Sequence, residues 1–166
     1  MNLHTLSILV ENRPGILSQI TGLFSRRGYN IESLAVGTCE IADMSRSTVT
    51  ATGNDAQLEQ VRKQLNKLID VIKVSDLTAT ERVERELALI RVATGSVPER
   101  TEILQIAQIF RASVVDAGEK SVILDVTEDT GKIDALERLL RQYGVKEFVR
   151  TGRIAIPRDT KNTGVG

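Results

Sequence analysis

The chain has 166 residues, 41% of them hydrophobic, and its 22 basic and 22 acidic side chains cancel, which leaves no electrostatic footprint for nucleic acid or an anionic membrane. Its apolar runs fall short of the ~20 residues that a spanning helix needs, and the first residues carry no basic stretch, so neither a membrane segment nor a secretory signal is expected. A single cysteine, Cys39, excludes an internal disulfide and fits a reducing cytoplasm, while the length suits one domain or two small ones.

Residues 3–10 alternate, with Leu6, Ile8 and Val10 on one face, and predict a half-buried strand. The chain then turns through Asn12-Arg13-Pro14-Gly15. Ile16, Leu17, Ile20, Leu23 and Phe24 follow at helical spacing, predicting a helix over 15–27. Pro14 suits the first helical position, and the amides after Gly15 form a seat for an anion such as a carboxylate. Gly28 ends the helix. Residues 30–38 predict a second strand, with Glu32, Leu34 and Val36 opposite Ile31, Ser33 and Ala35. A third strand over 45–53, a helix capped by Asn54 or Asp55 and a fourth strand over 71–77 complete a βαββαβ unit. Its sheet has a second face, on which Leu9, Ile31 and Ala35 are expected, and dimerisation is one way to cover it.

After the charged stretch 78–85 the pattern repeats. A strand over 87–93, an apolar helix after Gly95 and Pro98, a hairpin of 113–116 with 121–126, a helix over 132–142 and a strand over 145–150, continuing through Ile154 and Ile156, make a second unit. The expected architecture is α+β, two tandem ferredoxin-like βαββαβ domains over 1–77 and 86–157. A linker over 78–85 joins them, and a flexible tail follows over 158–166.

Catalytic groups are scarce. With one histidine, His4, read as a strand-end residue, and one cysteine, the chain offers no zinc cluster, Cys–His dyad or Ser–His–Asp triad. Gly131-Lys132 resembles the end of a phosphate loop, but Ile133 stands where Ser or Thr belongs. Glu128 and Asp129 read as helix capping. Aromatic residues at 3% are too few for a base-stacking RNA platform. Arg13 and Asn30 would suit an acylphosphatase-like anion site, which leaves the second unit unexplained. What remains is the first turn, where Asn12 and Asn30 offer amide groups to an ammonium and a carboxylate, and Gly15, Ile16 and Leu17 add backbone N–H groups. The plainer reading is that Asn12 caps the helix and Asn30 tolerates a turn conformation.

The strand ending in Glu11-Asn12, the turn Pro14-Gly15-Ile16-Leu17 and the run Gly28-Tyr29-Asn30-Ile31-Glu32-Ser33-Leu34 resemble the ACT domain, a ligand-binding module of amino-acid metabolism. With the second unit and its Glu84-Arg85-Glu86-Leu87 lead-in, nearly the whole chain is similar to the bacterial small, regulatory subunits of acetolactate synthase. The resemblance implies no catalytic residue on this chain. It implies a separate large catalytic subunit that binds thiamine diphosphate, magnesium and FAD and condenses pyruvate with pyruvate or 2-ketobutyrate. This chain would stimulate that subunit and confer feedback inhibition by valine or another branched-chain amino acid, as a homodimer through its ACT domains. Carried over, the effector site is Asn12, Gly15, Ile16 and Leu17 of one subunit with Asn30, Ile31, Val36 and Gly37 of its neighbour. Gln19 stands where the family often has Arg. A stand-alone amino-acid sensor and a purely structural dimerisation module are the alternatives.

Overall fold

A computed structural model describes residues 2–159; the tail expected from residue 158 onward lies almost wholly outside them. The element order is β1 (Asn2–Glu11), α1 (Ile16–Arg26), β2 (Asn30–Thr38), β3 (Met44–Gly53), α2 (Asp55–Leu65), β4 (Val71–Asp76), β5 (Arg82–Ala93), α3 (Val97–Ile109), β6 (Ser113–Ala117), β7 (Ser121–Glu128), α4 (Thr130–Leu140), β8 (Val145–Arg150) and β9 (Ile154–Pro157). Two compact units result, one taking Met1–Glu84 and Arg153–Gly166 so far as described, the other Arg85–Gly152.

In the first unit the antiparallel sheet runs β2-β3-β1-β4. The alternation of β1 places Leu6, Ile8 and Val10 under the two helices, where they meet Ile20 and Phe24 of α1 and Val61 and Leu65 of α2. Phe24, Ile8, Val61 and Leu65 are fully buried, each contributing about 1.5–3 kcal/mol of gross hydrophobic free energy. α2 is closed by a reciprocal cap: the Asn54 side chain accepts from the Gln57 amide (2.8 Å), and the Gln57 side chain accepts from the Asn54 amide (3.4 Å).

Several expectations are corrected here. The alternation of β2 is broken by a bulge between Ile31 and Ser33, which turns Ile31 to the helix side against Ala51 instead of to the opposite face. That opposite face, with Thr5, Ser7, Leu9, Thr48 and Thr50 buried, is partly covered by the chain's own β9. The Ala155 amide donates to Thr48 Oγ1 (3.4 Å) and the Arg153 amide to Ser33 Oγ (3.4 Å). Strand β8 therefore does not run on through Ile154 and Ile156. Thr151-Gly152-Arg153 interrupts it, with Gly152 at φ +82°, and residues 153–157 group with the first unit and not with the 86–157 domain. Only part of the expected 78–85 linker is irregular, because β5 starts at Arg82, and β9 pairs with that strand. His4 lies near the start of β1, as expected, but is buried there (4% exposed), with Nε2 3.4 Å from the Gly53 carbonyl, and so donates through Nε2.

The second unit repeats the plan with sheet order β6-β7-β5-β8. Ala88, Ile90 and Val92 of β5 and Val122, Leu124 and Val126 of β7 pack under Ile103 and Ala107 of α3 and Ile133, Leu136 and Leu140 of α4. α4 begins at Thr130, two residues earlier than expected, because the Asp129 side chain accepts from the Lys132 amide (3.0 Å), and its last turn tightens to a 3-10 helix over Arg141–Tyr143. A buried carboxylate enters this unit: Glu86, 4% exposed, accepts from Arg150 Nε (2.9 Å) and Nη2 (2.6 Å) and from Thr130 Oγ1 (3.1 Å). Among the described residues no helix is long and apolar enough to cross a membrane.

Candidate functional site

The turn between β1 and α1 is not built as the sequence suggests. Pro14 precedes the helix instead of starting it, and Gly15 takes the N-cap position at φ +88°, ψ −14°. Those values are the third position of a type II turn, with Pro14 supplying the second and the Ile16 amide reaching back to the Arg13 carbonyl (3.5 Å). Only glycine adopts that conformation without strain. The cap carries no side-chain hydrogen bond, so Asn12 does not cap the helix. The first intrahelical bond runs from the Gln19 amide to the Gly15 carbonyl (3.1 Å), which leaves the Leu17 and Ser18 amides ahead of the ladder and pointing out of the helix end.

Neighbouring segments hold the turn in place. The Asn12 amide donates to the Asp43 carbonyl (2.9 Å), and the Glu11 amide to the Asp70 carbonyl (2.8 Å). Arg13 Nε lies 2.7 Å from a Glu11 oxygen and its Nη1 3.7 Å from Asp70. The Asn12 side chain makes no hydrogen bond among the described residues and is exposed.

Beneath the turn lies a cavity of about 210 Å³. Asn12, Gly15, Ile16, Leu17 and Val36, all picked out from sequence, line it together. Asn30, Ile31 and Gly37 do not. Asn30 sits at the far end of β2, six residues from Val36, or about 20 Å of strand, and its side chain donates to Glu32 (2.9 Å) from within extended backbone. It serves no turn conformation. The lining also includes Val10, Ile20 and two residues that sequence reasoning missed, Ser45 and Ser47. A signal for these existed: the helix-facing positions of β3 read Ser45, Ser47, Val49, Ala51, so apolar residues give way to hydroxyls toward the turn.

The other end of β2 is fixed by Tyr29. Its ring is 5% exposed and packs edge-on against Phe24 (6.1 Å) and His4 (6.4 Å), while its hydroxyl donates to the Asn54 carbonyl. Burial, and then the Asp55 charge, pushes the phenol above its ordinary value, which keeps it a donor. Among the described residues no group of three or more His, Cys, Asp or Glu side chains is placed to hold a metal ion.

Comparison with known proteins fits both halves. Residues 6–73 match the family model described as the AHAS small subunit-like ACT domain, and residues 85–159 the model described as the small subunit of acetolactate synthase. A probable acetolactate synthase small subunit of Archaeoglobus fulgidus is 54% identical over 159 residues, covering 95% of this chain and 98% of that one. The acetolactate synthase small subunit of Mycobacterium bovis is 44% identical over 161 residues, covering 97% and 95%. The crystal structure of the acetolactate synthase small subunit from Thermotoga maritima superposes with a TM-score of 0.86 at 38% identity, covering 95% of this chain and 98% of that one. With two ferredoxin-like units, the Pro-Gly turn over its cavity and family matches across both halves, the chain belongs to the acetolactate synthase small-subunit family.

Proposed function

We propose that this chain regulates a separate acetolactate synthase catalytic subunit, raising its activity and transmitting feedback inhibition by valine or another branched-chain amino acid bound at the β1–α1 turn. The catalytic subunit would supply the thiamine diphosphate, magnesium and FAD chemistry that joins two 2-keto acids. The observation that carries the reading is the cavity itself. Outward amides at a helix N-terminus suit a carboxylate, the Asn12 amide oxygen suits an ammonium, and Val10, Ile20 and Val36 form an apolar wall for a short branched side chain.

Asn30 and Ile31 enter this site from a second copy. Among the described residues β2 is an edge strand whose one neighbour in the sheet is β3. Antiparallel pairing of two β2 edges about Leu34 would bring the Asn30–Ile31 end of the partner's strand alongside the Gly37–Thr38 end of this one, at the usual strand spacing of about 4.8 Å. Thr38 is in register with Ser45 and Val36 with Ser47, at the cavity. An effector held by both copies would bias their placement. Only its difference in affinity between active and inhibited assemblies, typically about 1–3 kcal/mol, can be felt by the catalytic subunit. So small a ligand supplies about 4–7 kcal/mol in all, which corresponds to roughly millimolar to tens of micromolar affinity.

Asn12→Ala and Asn30→Ala are each expected to weaken valine binding by about 10–100-fold, the worth of one hydrogen bond to a charged group. Titration calorimetry measures this directly. In the reconstituted enzyme the same variants should abolish valine inhibition and retain stimulation of the catalytic subunit. Loss of stimulation with inhibition retained would refute the assignment.

A further inference from the structure

Ser45, like Asn12, lines the cavity without a side-chain hydrogen bond of its own among the described residues. Its residue is 5% exposed, it opens onto the cavity, and its hydroxyl has no hydrogen-bond partner among the described residues. Ser47, its neighbour on the same face, is different: at 1% exposure its hydroxyl donates to the Ile8 carbonyl (3.4 Å). The residue is largely buried, but its hydroxyl oxygen opens onto the cavity and is not sealed within the fold, at a position where an apolar residue would extend the row that Val49 and Ala51 begin. A hydroxyl kept there points to a polar atom that arrives from outside the fold.

Its position indicates which atom. In register Ser45 lies opposite Val10 on one side and Thr38 on the other, one step inside the strand end from which the chain leaves toward Asn12. Asn12, Arg13 and the helix amides lie at the turn, Ser45 stands one strand step inside it beside Val10, and Ile20 and Val36 complete the wall. The amides are donors and suit the carboxylate. A hydroxyl oxygen is an acceptor as well as a donor and suits the ammonium.

We propose that Ser45 is a ligand-binding residue, its Oγ accepting a hydrogen bond from the α-ammonium of the bound amino acid alongside Asn12. This rests on the effector reading above and assigns its ammonium contact. The test uses the full chain and titrates wild type, Ser45→Ala and Ser45→Thr with L-valine, L-leucine, L-isoleucine and 2-hydroxy-3-methylbutyrate. The last of these keeps valine's carboxylate and branched chain but replaces its ammonium with a hydroxyl. Ser45→Ala should lose about tenfold in affinity for all three amino acids alike, and its preference for valine over the hydroxy acid should narrow by a similar factor. Ser45→Thr, which keeps the hydroxyl, should retain the preference. Without ligand, Ser45→Ala should melt within about 2 °C of wild type, because the hydroxyl makes no hydrogen bond among the described residues. An unchanged preference, a loss that differs among the three side chains, or a fall in the ligand-free melting temperature would each overturn the assignment. If Asn12→Ala weakens valine binding and Ser45→Ala does not, this inference fails and the effector site stands. If the wild type binds none of the three amino acids, the effector site fails and this inference with it.

Discussion

Replacing Arg150 with alanine should destabilise the second unit by about 3 kcal/mol, read as a lower urea midpoint with an unchanged slope. The reason is the burial of Glu86. Its carboxylate is 4% exposed and is gripped by Arg150 through two bonds of 2.9 and 2.6 Å, the fork geometry that makes guanidinium–carboxylate pairs strong. Arg150 also donates to Asp134 (2.7 Å) and stands over the Phe148 ring at 5.3 Å, so its position is fixed from several sides. The hydrogen bonds with Glu86 push its pKa above the ordinary arginine value, so charge loss is no escape. Alanine leaves the buried carboxylate without its bidentate guanidinium. Neutralising it by Glu86→Gln in the same chain, with Thr130 Oγ1 still in reach, should recover part of the loss. A double variant no more stable than Arg150→Ala would mean that the charge is not the cause.

The second large effect is expected at Gly53. A Cβ added there would fall 2.0 Å from Tyr29 Cε1 and 2.3 Å from Cζ, far inside contact distance. The ring cannot move aside cheaply, being wedged against Phe24 and His4 and tied through its hydroxyl to Asn54. Gly53→Ala should therefore cost about 3 kcal/mol, at the upper end of overpacking penalties. It should also disturb the proposed effector site, because Tyr29 immediately precedes Asn30 at the start of β2. The double variant Gly53→Ala, Tyr29→Leu should regain stability by relieving the clash. Gly53→Ala melting within 1–2 °C of wild type, a shift of only a few tenths of a kcal/mol, would show that the ring has room.

Most of the fold is legible from the residues because the two units obey simple periodicities. Leu6, Ile8 and Val10 alternate, and Ile20 and Phe24 repeat at helical spacing, so strand and helix are specified locally and the buried faces follow. The misreadings have physical causes. A one-residue bulge reverses every side-chain direction after it, and nothing in Ile31-Glu32-Ser33 announces one, so Ile31 was expected on the wrong face. The short strand Ile154–Pro157 reads as a continuation of β8; its place with the first unit depends on contacts made by residues more than 100 positions away, at Thr48 and Ser33. Pro14 and Gly15 fit both a helix start and a type II turn, and the left-handed backbone of Gly15 decides for the turn.

Five of the eight residues expected at the effector site share one cavity. Asn12, Gly15, Ile16, Leu17 and Val36 come together because one turn and the strand end beside it bring them there. Ser45 and Ser47 stand out little because Ser and Thr recur along β3, and their shared alternation with Val49 and Ala51 is the one mark that they face the helix. Asn30 and Ile31 lie far along β2 from the cavity within one chain, which is why the assignment needs two copies.

Subunit complementation tests that requirement most directly. Full-length Asn12→Ala and Asn30→Ala chains, each deficient in valine binding, are mixed, allowed to exchange and titrated with valine by calorimetry. If the site is shared across a β2–β2 interface, every mixed dimer combines the intact turn of one chain with the intact Asn30 of the other, and one full-affinity site returns per mixed dimer. If mixed dimers form and no full-affinity binding returns, each site is built within a single chain and the shared-seat account is wrong.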